Sequence, residues 1–209
     1  GRRTDRLPAY GSGVNLHYSQ EELVAQTRRW VDAGFTAVKV KVGKPDLAED
    51  VERIAAVREA LGPDRLLRID ANQRWDLDTA TRAITALAEY RLDWVEEPLR
   101  ADDLLGYTEL RRRSPARIAL GENVHTIYRF REFLAAGAVD VVQPNIIRVG
   151  GITPFLRIAE NARQQGVELA PHLLPELSTQ IALTLPDACW IEDVEDAFFA
   201  DLGALVQPT

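Results

Sequence analysis

Residues 66–122 read LLRIDANQRWDLDTATRAITALAEYRLDWVEEPLRADDLLGYTELRRRSPARIALGE. Short apolar segments at residues 66–70, 92–96 and 118–121 are separated by helical periodicity over 77–89 and 104–114. Asp70 and Glu96 end the first two segments and Glu122 follows the third, in equal steps of twenty-six residues. Each step is one strand plus one helix, so parallel strands would carry the three carboxylates side by side at the same end of a sheet. Three like charges placed together repel, and a hard divalent cation is the usual neutraliser. All-oxygen ligation points to magnesium or manganese rather than zinc.

The same alternation extends in both directions. Further strands are expected at residues 9–16, 37–42, 139–143, 167–170 and 189–191, and further helices at 20–34, 46–61, 127–136, 153–165 and 176–185. Ser19 and Glu22 stand at capping-box spacing, Asp76 or Asp78 can cap the third helix, and Gly34, Gly62, Gly137 and Gly166 sit where helices should stop. Nearly continuous apolar runs such as Asp140-Val141-Val142 favour a parallel sheet covered by helices on its face. Eight such strands on one short repeat fit a closed barrel better than an open doubly wound sheet. The expected fold is therefore α/β, a modified TIM barrel of (β/α)7β type, with an eighth helix absent or beyond the end of the chain. No linker divides residues 1–209, which read as one domain. The chain has no Met and stops at Gln207-Pro208-Thr209, and we expect it to be a fragment of a longer polypeptide.

Composition narrows the classes. A chain of 209 residues, 46% hydrophobic, can bury a substantial core, and a net charge of -7 disfavours a nucleic-acid partner. Arg111, Arg112 and Arg113 read as a solvated helix end. No run approaches the roughly eighteen apolar residues of a membrane span, and no signal-peptide pattern opens the chain. The one cysteine, Cys189, lies between Ala188 and Trp190 and reads as a buried thiol; a cytoplasmic location is the expectation.

Of 25 basic residues only three are lysines, and Lys39, Lys41 and Lys44 fall within six positions. An amine can give up its proton, which a guanidinium cannot. Lys39 and Lys41 are two apart on an expected strand and so point the same way, where each would depress the other's pKa and suit one of them to act as a base. Lys44, past Gly43, reads as a surface residue. His172 ends the seventh strand across the barrel mouth from Lys41, Glu192 ends the eighth, and Asn145 ends the sixth, where it could hold the imidazole or touch substrate. Gly150-Gly151 matches no phosphate-binding fingerprint. Asn15, His17, Tyr18, Asn72, Gln73, Trp75, Asn123, His125 and Arg148 lie near expected strand ends and are candidates for reading substrate hydroxyls.

The motifs K-V-K, I-D-A-N, V-E-E-P, G-E-N, Q-P-N-x-x-R-x-G-G, A-P-H and W-I-E, running from about Pro8 to Glu192, resemble the barrel domain of the mandelate racemase and muconate lactonizing enzyme branch of the enolase superfamily, in its mandelate-racemase-like subgroup. The resemblance implies that Asp70, Glu96 and Glu122 bind Mg2+ and that Lys41 removes the proton alpha to a substrate carboxylate. It implies that Lys39 contacts the substrate carboxylate or a metal-bound oxygen and keeps the pKa of Lys41 low, that His172 is the opposite acid or base, and that Glu192 donates a hydrogen bond to the developing enediolate. It also implies a small-molecule carboxylate substrate, a homo-oligomer, and an N-terminal capping domain that this sequence lacks. Where the family usually pairs the histidine with aspartate, this chain has Asn145, which cannot stabilise an imidazolium by charge. Racemisation needs two competent bases, whereas dehydration needs one base and help for a leaving hydroxyl. The expected activity is thus dehydration of an aldonate or aldarate to a 2-keto-3-deoxy acid, with racemisation of a 2-hydroxy acid as the enzymatic alternative and a non-catalytic metal-binding barrel as the other.

Overall fold

A computed structural model of the chain describes residues 1–199. Its strands are β1 (Ala9–Ser12), β2 (Ala37–Lys41), β3 (Leu66–Asp70), β4 (Leu92–Glu96), β5 (Arg117–Leu120), β6 (Val141–Val142), β7 (Glu168–Leu169) and β8 (Ile191–Val194). The helices between them are α1 (Gln20–Asp32), α2 (Leu47–Leu61), α3 (Leu77–Ala86), α4 (Leu104–Arg113), α5 (Ile127–Ala135), α6 (Ile152–Gln164) and α7 (Pro175–Ala182). Every recorded strand pair is parallel, and the order β7-β6-β5-β4-β3-β2-β1-β8 winds the sheet into a (β/α)7β barrel. Among the described residues no ladder joins β7 to β8, which leaves a seam there. The end of the chain at Gln207-Pro208-Thr209 lies outside the described residues.

Local chemistry starts and stops the helices as the sequence indicates. Ser19 and Glu22 form a complete capping box on α1, Asp46 caps α2, and Asp76 rather than Asp78 caps α3. Gly34, Gly62, Gly137 and Gly166 all adopt positive φ just after helices. The third helix is shorter than expected: it ends at Ala86, and a 3-10 turn over Ala88–Tyr90 leads to Arg91 at φ 49°.

Strand alternation sorts side chains into two cores. Val38 and Val40 of β2, Leu67 and Ile69 of β3, and Val95 of β4 face outward into the layer packed by the helices. The opposite set faces inward. Low in the barrel it forms a floor of Tyr10, Ala37, Trp94, Ala119, Val141 and Ala170, with Trp190 packed against it. The fully buried Arg68 guanidinium lies 3.6 Å from the Trp94 ring, 4.3 Å from Trp190 and 4.6 Å from Tyr10, and donates from Nε to Asp93 at 2.8 Å. Above this floor the inward positions carry Lys39, Lys41, Asp70 and Glu96.

Several strand bounds need correction: β6 and β7 shorten to Val141–Val142 and Glu168–Leu169, so Asn145 and His172 stand past the ends of their strands. β1 stops at Ser12 instead of reaching residue 16, because the chain leaves the sheet at Gly13. β8 begins at Ile191 rather than ending there: it pairs Ala9 with Ile191 and Ser12 with Val194, so Glu192 is its second residue and not its end. The pairing with β1 defines β8, and the apolar pattern of residues 189–191 carries no trace of it.

Candidate active site

Parallel register brings the carboxylates together. Lys41 is paired with Asp70, and Asp70 with Glu96, across three neighbouring strands. Glu122 joins them from just past β5, after Gly121, where a Cβ would lie 2.5 Å from the backbone nitrogen of Gln143. Only glycine allows so close an approach of β5 to the backbone that follows β6, and that approach places Glu122. Oxygens of Asp70, Glu96 and Glu122 lie within 4.8 Å of one another.

The electrostatics of this trio are unfavourable without a cation. Glu96 is fully buried. Burial pushes its carboxyl well above the usual range, Lys39 opposes the shift, and Asp70 and Glu192 add to it. Burial together with the charge of Glu122 pushes the neighbouring Glu97 up to about 7. At Glu122 burial is outweighed by the hydrogen bond from His172, with the charges of Lys39 and Lys41 adding to it, and the carboxyl is held down at about 2. A compact, largely buried group whose donors are all carboxylate oxygens fits a hard divalent cation, and Mg2+ in particular.

The lysines stand as the alternation predicts. Lys39 Nζ, 1% exposed, lies 2.7 Å from both Glu96 Oε1 and Glu192 Oε1 and 3.9 Å from Asp70 Oδ2. Burial alone would lower its pKa, but Glu192, Glu96 and their neighbours raise it well above the ordinary value, so Lys39 is a fixed cation. Lys41 ends β2 with Nζ 2.5 Å from Asp70 Oδ2 and its side chain still 15% exposed, within reach of a ligand in the mouth.

His172 approaches from the opposite side. Its Nε2 lies 2.7 Å from Glu122 Oε2, and its Nδ1 lies 3.2 Å from Asn145 Nδ2. The amide orientation of Asn145 follows from its oxygen, which accepts from the N–H groups of Ile147 and Arg148 at 3.0 and 3.1 Å. The Asn145 N–H therefore points at Nδ1, which must accept, and His172 is held as the neutral tautomer protonated on Nε2.

Glu192 is held through both of its oxygens. Its Oε1 accepts from Ser12 Oγ at 2.9 Å and its Oε2 from the Leu173 N–H at 3.0 Å. Burial works against ionisation, but the charge and hydrogen bond of Lys39, with the Leu173 N–H, overcome it and hold the carboxyl well below the usual range.

The remaining candidates divide. Asn123 is engaged with Glu97 Oε2 at 2.7 Å and Glu122 Oε1 at 3.0 Å, so it orients carboxylates. Arg148 donates to the Glu122 carbonyl and to Asn123 Oδ1, at 2.9 and 3.1 Å. Asn72 is exposed, and its backbone N–H donates to Asp70 Oδ1 at 2.8 Å. His17 is exposed and packs edge-on against Tyr18; it is not brought to the carboxylates. Asn15 is buried, and both polar atoms of its side chain are hydrogen-bonded, to Gln26 and to the Lys41 N–H. Gln73, Asn123 and His125 line a rim cleft of about 480 Å³ beside the site. Lys44 pairs with Glu49 at the surface.

Sequence reading passed over three contributors: Glu97, Gln143, whose Nε2 donates to Glu96 Oε2 at 2.6 Å, and Ser12. The doubled acid of V-E-E-P and the polar residue opening Q-P-N carried the signal for the first two.

The family described as Enolase C-terminal domain-like matches residues 22–208. A 3,6-anhydro-alpha-L-galactonate cycloisomerase of Streptomyces coelicolor is 39% identical over 89% of this chain and 52% of its own length. An L-talarate/galactarate dehydratase of Salmonella typhimurium is 37% identical over 93% of this chain and 49% of its own. The crystal structure of a racemase from Streptomyces coelicolor A3(2) with bound magnesium superposes with a TM-score of 0.87 at 38% identity, over 90% of this chain and 56% of that one. The chain thus spans about half the length of the relatives it matches. By this match and by its carboxylate trio, the chain belongs to the mandelate racemase and muconate lactonizing enzyme family of the enolase superfamily.

Proposed function

We propose that the protein catalyses Mg2+-dependent dehydration of an acid sugar, an aldonate or aldarate, to a 2-keto-3-deoxy acid. The observation that carries this reading is the placement of two proton-handling groups, Lys41 and His172, against opposite members of one carboxylate trio, Asp70 and Glu122. Asp70, Glu96 and Glu122 would hold the cation, which when bound supplies Lewis-acid neutralisation of charge on the substrate carboxylate.

Lys41 takes the proton alpha to that carboxylate. Lys39 stays cationic beneath it and offsets the charge of Glu96 and Glu192 as negative charge builds on the substrate. From the other side, the Nε2–H of neutral His172 donates a hydrogen bond to the departing 3-hydroxyl, the kind of electrophilic help a neutral imidazole can give. The proton on Lys41 and the departing hydroxide make up the water lost, and the resulting enol tautomerises to the keto acid.

Asn145 favours dehydration over racemisation. A second base would need a free lone pair on Nε2, and the Asn145 N–H aimed at Nδ1 keeps the proton on Nε2. The names of the Streptomyces cycloisomerase and the Salmonella dehydratase support an acid sugar as substrate. A panel of four- to six-carbon acid sugars, headed by galactarate and L-talarate and assayed for keto acid by proton NMR in D2O with Mg2+, tests the reading. A keto acid carrying solvent deuterium at C3 is expected; a stereoisomer of the substrate with all hydroxyls retained would replace it with racemisation.

A further inference from the structure

We propose that Asn15 and Asp50 are positioning residues that fix the backbone on either side of Lys41 and so aim its amine into the barrel mouth. The proposal rests on the reading of Lys41 as the base.

The need for Asn15 arises from the shortness of β1. Its register with β2 pairs Gly11 with Val38 and Ser12 with Lys39 and then stops. The next N–H on that side of β2 is that of Lys41, because the Val42 N–H turns the other way and donates to the Asp70 carbonyl at 2.9 Å. Left alone, the last residue of the strand would be free to fray. Asn15 Oδ1 takes the place of the missing strand and accepts from the Lys41 N–H at 2.9 Å.

Asn15 cannot turn to another task. Gln26 Nε2 donates to Glu195 at 2.7 Å, which leaves Gln26 Oε1 to accept from Asn15 Nδ2 at 2.8 Å. That fixes the amide with its oxygen toward Lys41. The Asn15 carbonyl is held in turn by Arg53 Nη2, at 2.9 Å, from α2. Asn15 is 0% exposed, so the arrangement is closed to solvent.

Asp50 acts on the other side. Also buried, it accepts with one oxygen, Oδ2, from the N–H groups of both Gly43 and Lys44, at 2.8 and 3.0 Å. Gly43 has φ 103°, and a Cβ there would lie 2.6 Å from Arg74 Cδ, so the turn that Asp50 pins admits no side chain. Lys41 is thus clamped from the β1–α1 loop before it and from α2 after it. A base displaced by about 1 Å can lose a hundredfold in rate, which is the scale at which such clamping matters.

The test uses Asn15→Ala, Asp50→Ala and Asp50→Asn, with Lys41→Met alongside. In the protein without substrate, NMR amide exchange should quicken by about tenfold or more at Lys41 in Asn15→Ala, and at Gly43 and Lys44 in Asp50→Ala. With the best acid sugar of the panel, kcat should fall by about a hundredfold in both, with KM changed by no more than about twofold. Asp50→Asn keeps an acceptor oxygen, carries the test if Asp50→Ala fails to fold, and should restore most of kcat. Variants that lose melting temperature yet keep wild-type kcat and wild-type exchange at residues 41, 43 and 44 would overturn the proposal while leaving an inactive Lys41→Met as evidence for the base. Turnover by Lys41→Met would remove the base itself, and the proposal with it.

Discussion

Asn145 turns its amide nitrogen toward His172 because its oxygen is already occupied by the N–H groups of Ile147 and Arg148. One atom thereby sets the chemistry of the imidazole. In Asn145→Asp the new oxygen can accept from a protonated Nδ1, which frees the Nε2 lone pair, and its charge then stabilises the imidazolium formed when Nε2 takes a proton. We expect this variant to gain exchange of the alpha proton on the second face, read as epimerised substrate by NMR in D2O and rising by about tenfold. An unchanged stereochemical outcome would count against control of His172 by Asn145. The substitution was visible in the sequence, and so was the shared face of Lys39 and Lys41, since a strand period of two requires it. The tautomer was not visible, because it depends on two backbone N–H groups meeting Asn145 Oδ1 in the turn after β6. Nor was the ionisation of Glu192, which needs Lys39, Ser12 and Leu173 to converge from three other segments.

Elements were legible where their cause is local. Ser19, Asp46 and Asp76 start helices through their own neighbours, and the strands Leu66–Asp70 and Leu92–Glu96 lie where alternation places them. Boundaries were misjudged where the cause is distant. β1 gives up its last position to the side chain of Asn15, and β8 exists by pairing with β1. Gly121 belongs to the same class: its role follows from the Gln143 backbone, twenty-two residues away, at the position a Cβ would take. Gly121→Ala should cost about 1–3 kcal/mol by forcing β5 and β6 apart, measured by urea unfolding, and should weaken Mg2+ affinity because Glu122 is the next residue. Wild-type stability and affinity in that variant would mean that the strands separate freely at this point.

The whole molecule divides along the barrel axis. At the floor, Arg68 is enclosed by Trp94, Trp190 and Tyr10, and Arg117 joins Asp93 to Glu168 at 2.5 Å each, so that charges from β3, β4, β5 and β7 are tied together. The mouth, by contrast, gathers more negative charge than its lysines offset. Beside the seam between β7 and β8, Cys189 is 3% exposed and burial pushes its thiol up to about 12. A native state that keeps this proton loses stability as pH rises above the ordinary thiol value of about 8.5 and none below it. Iodoacetamide at that pH should leave Cys189 unmodified in the native protein and alkylate it on unfolding; rapid native labelling would show an open seam.

The fold predicts the charge deficit at the mouth from one regularity, a carboxylate at or just past the end of each of three successive strands. Calorimetric titration of the metal-stripped protein with Mg2+ examines that directly. A single site per chain is expected, lost in Asp70→Asn and in Glu96→Gln. Absence of binding up to millimolar Mg2+, or unaltered binding in both variants, would contradict it.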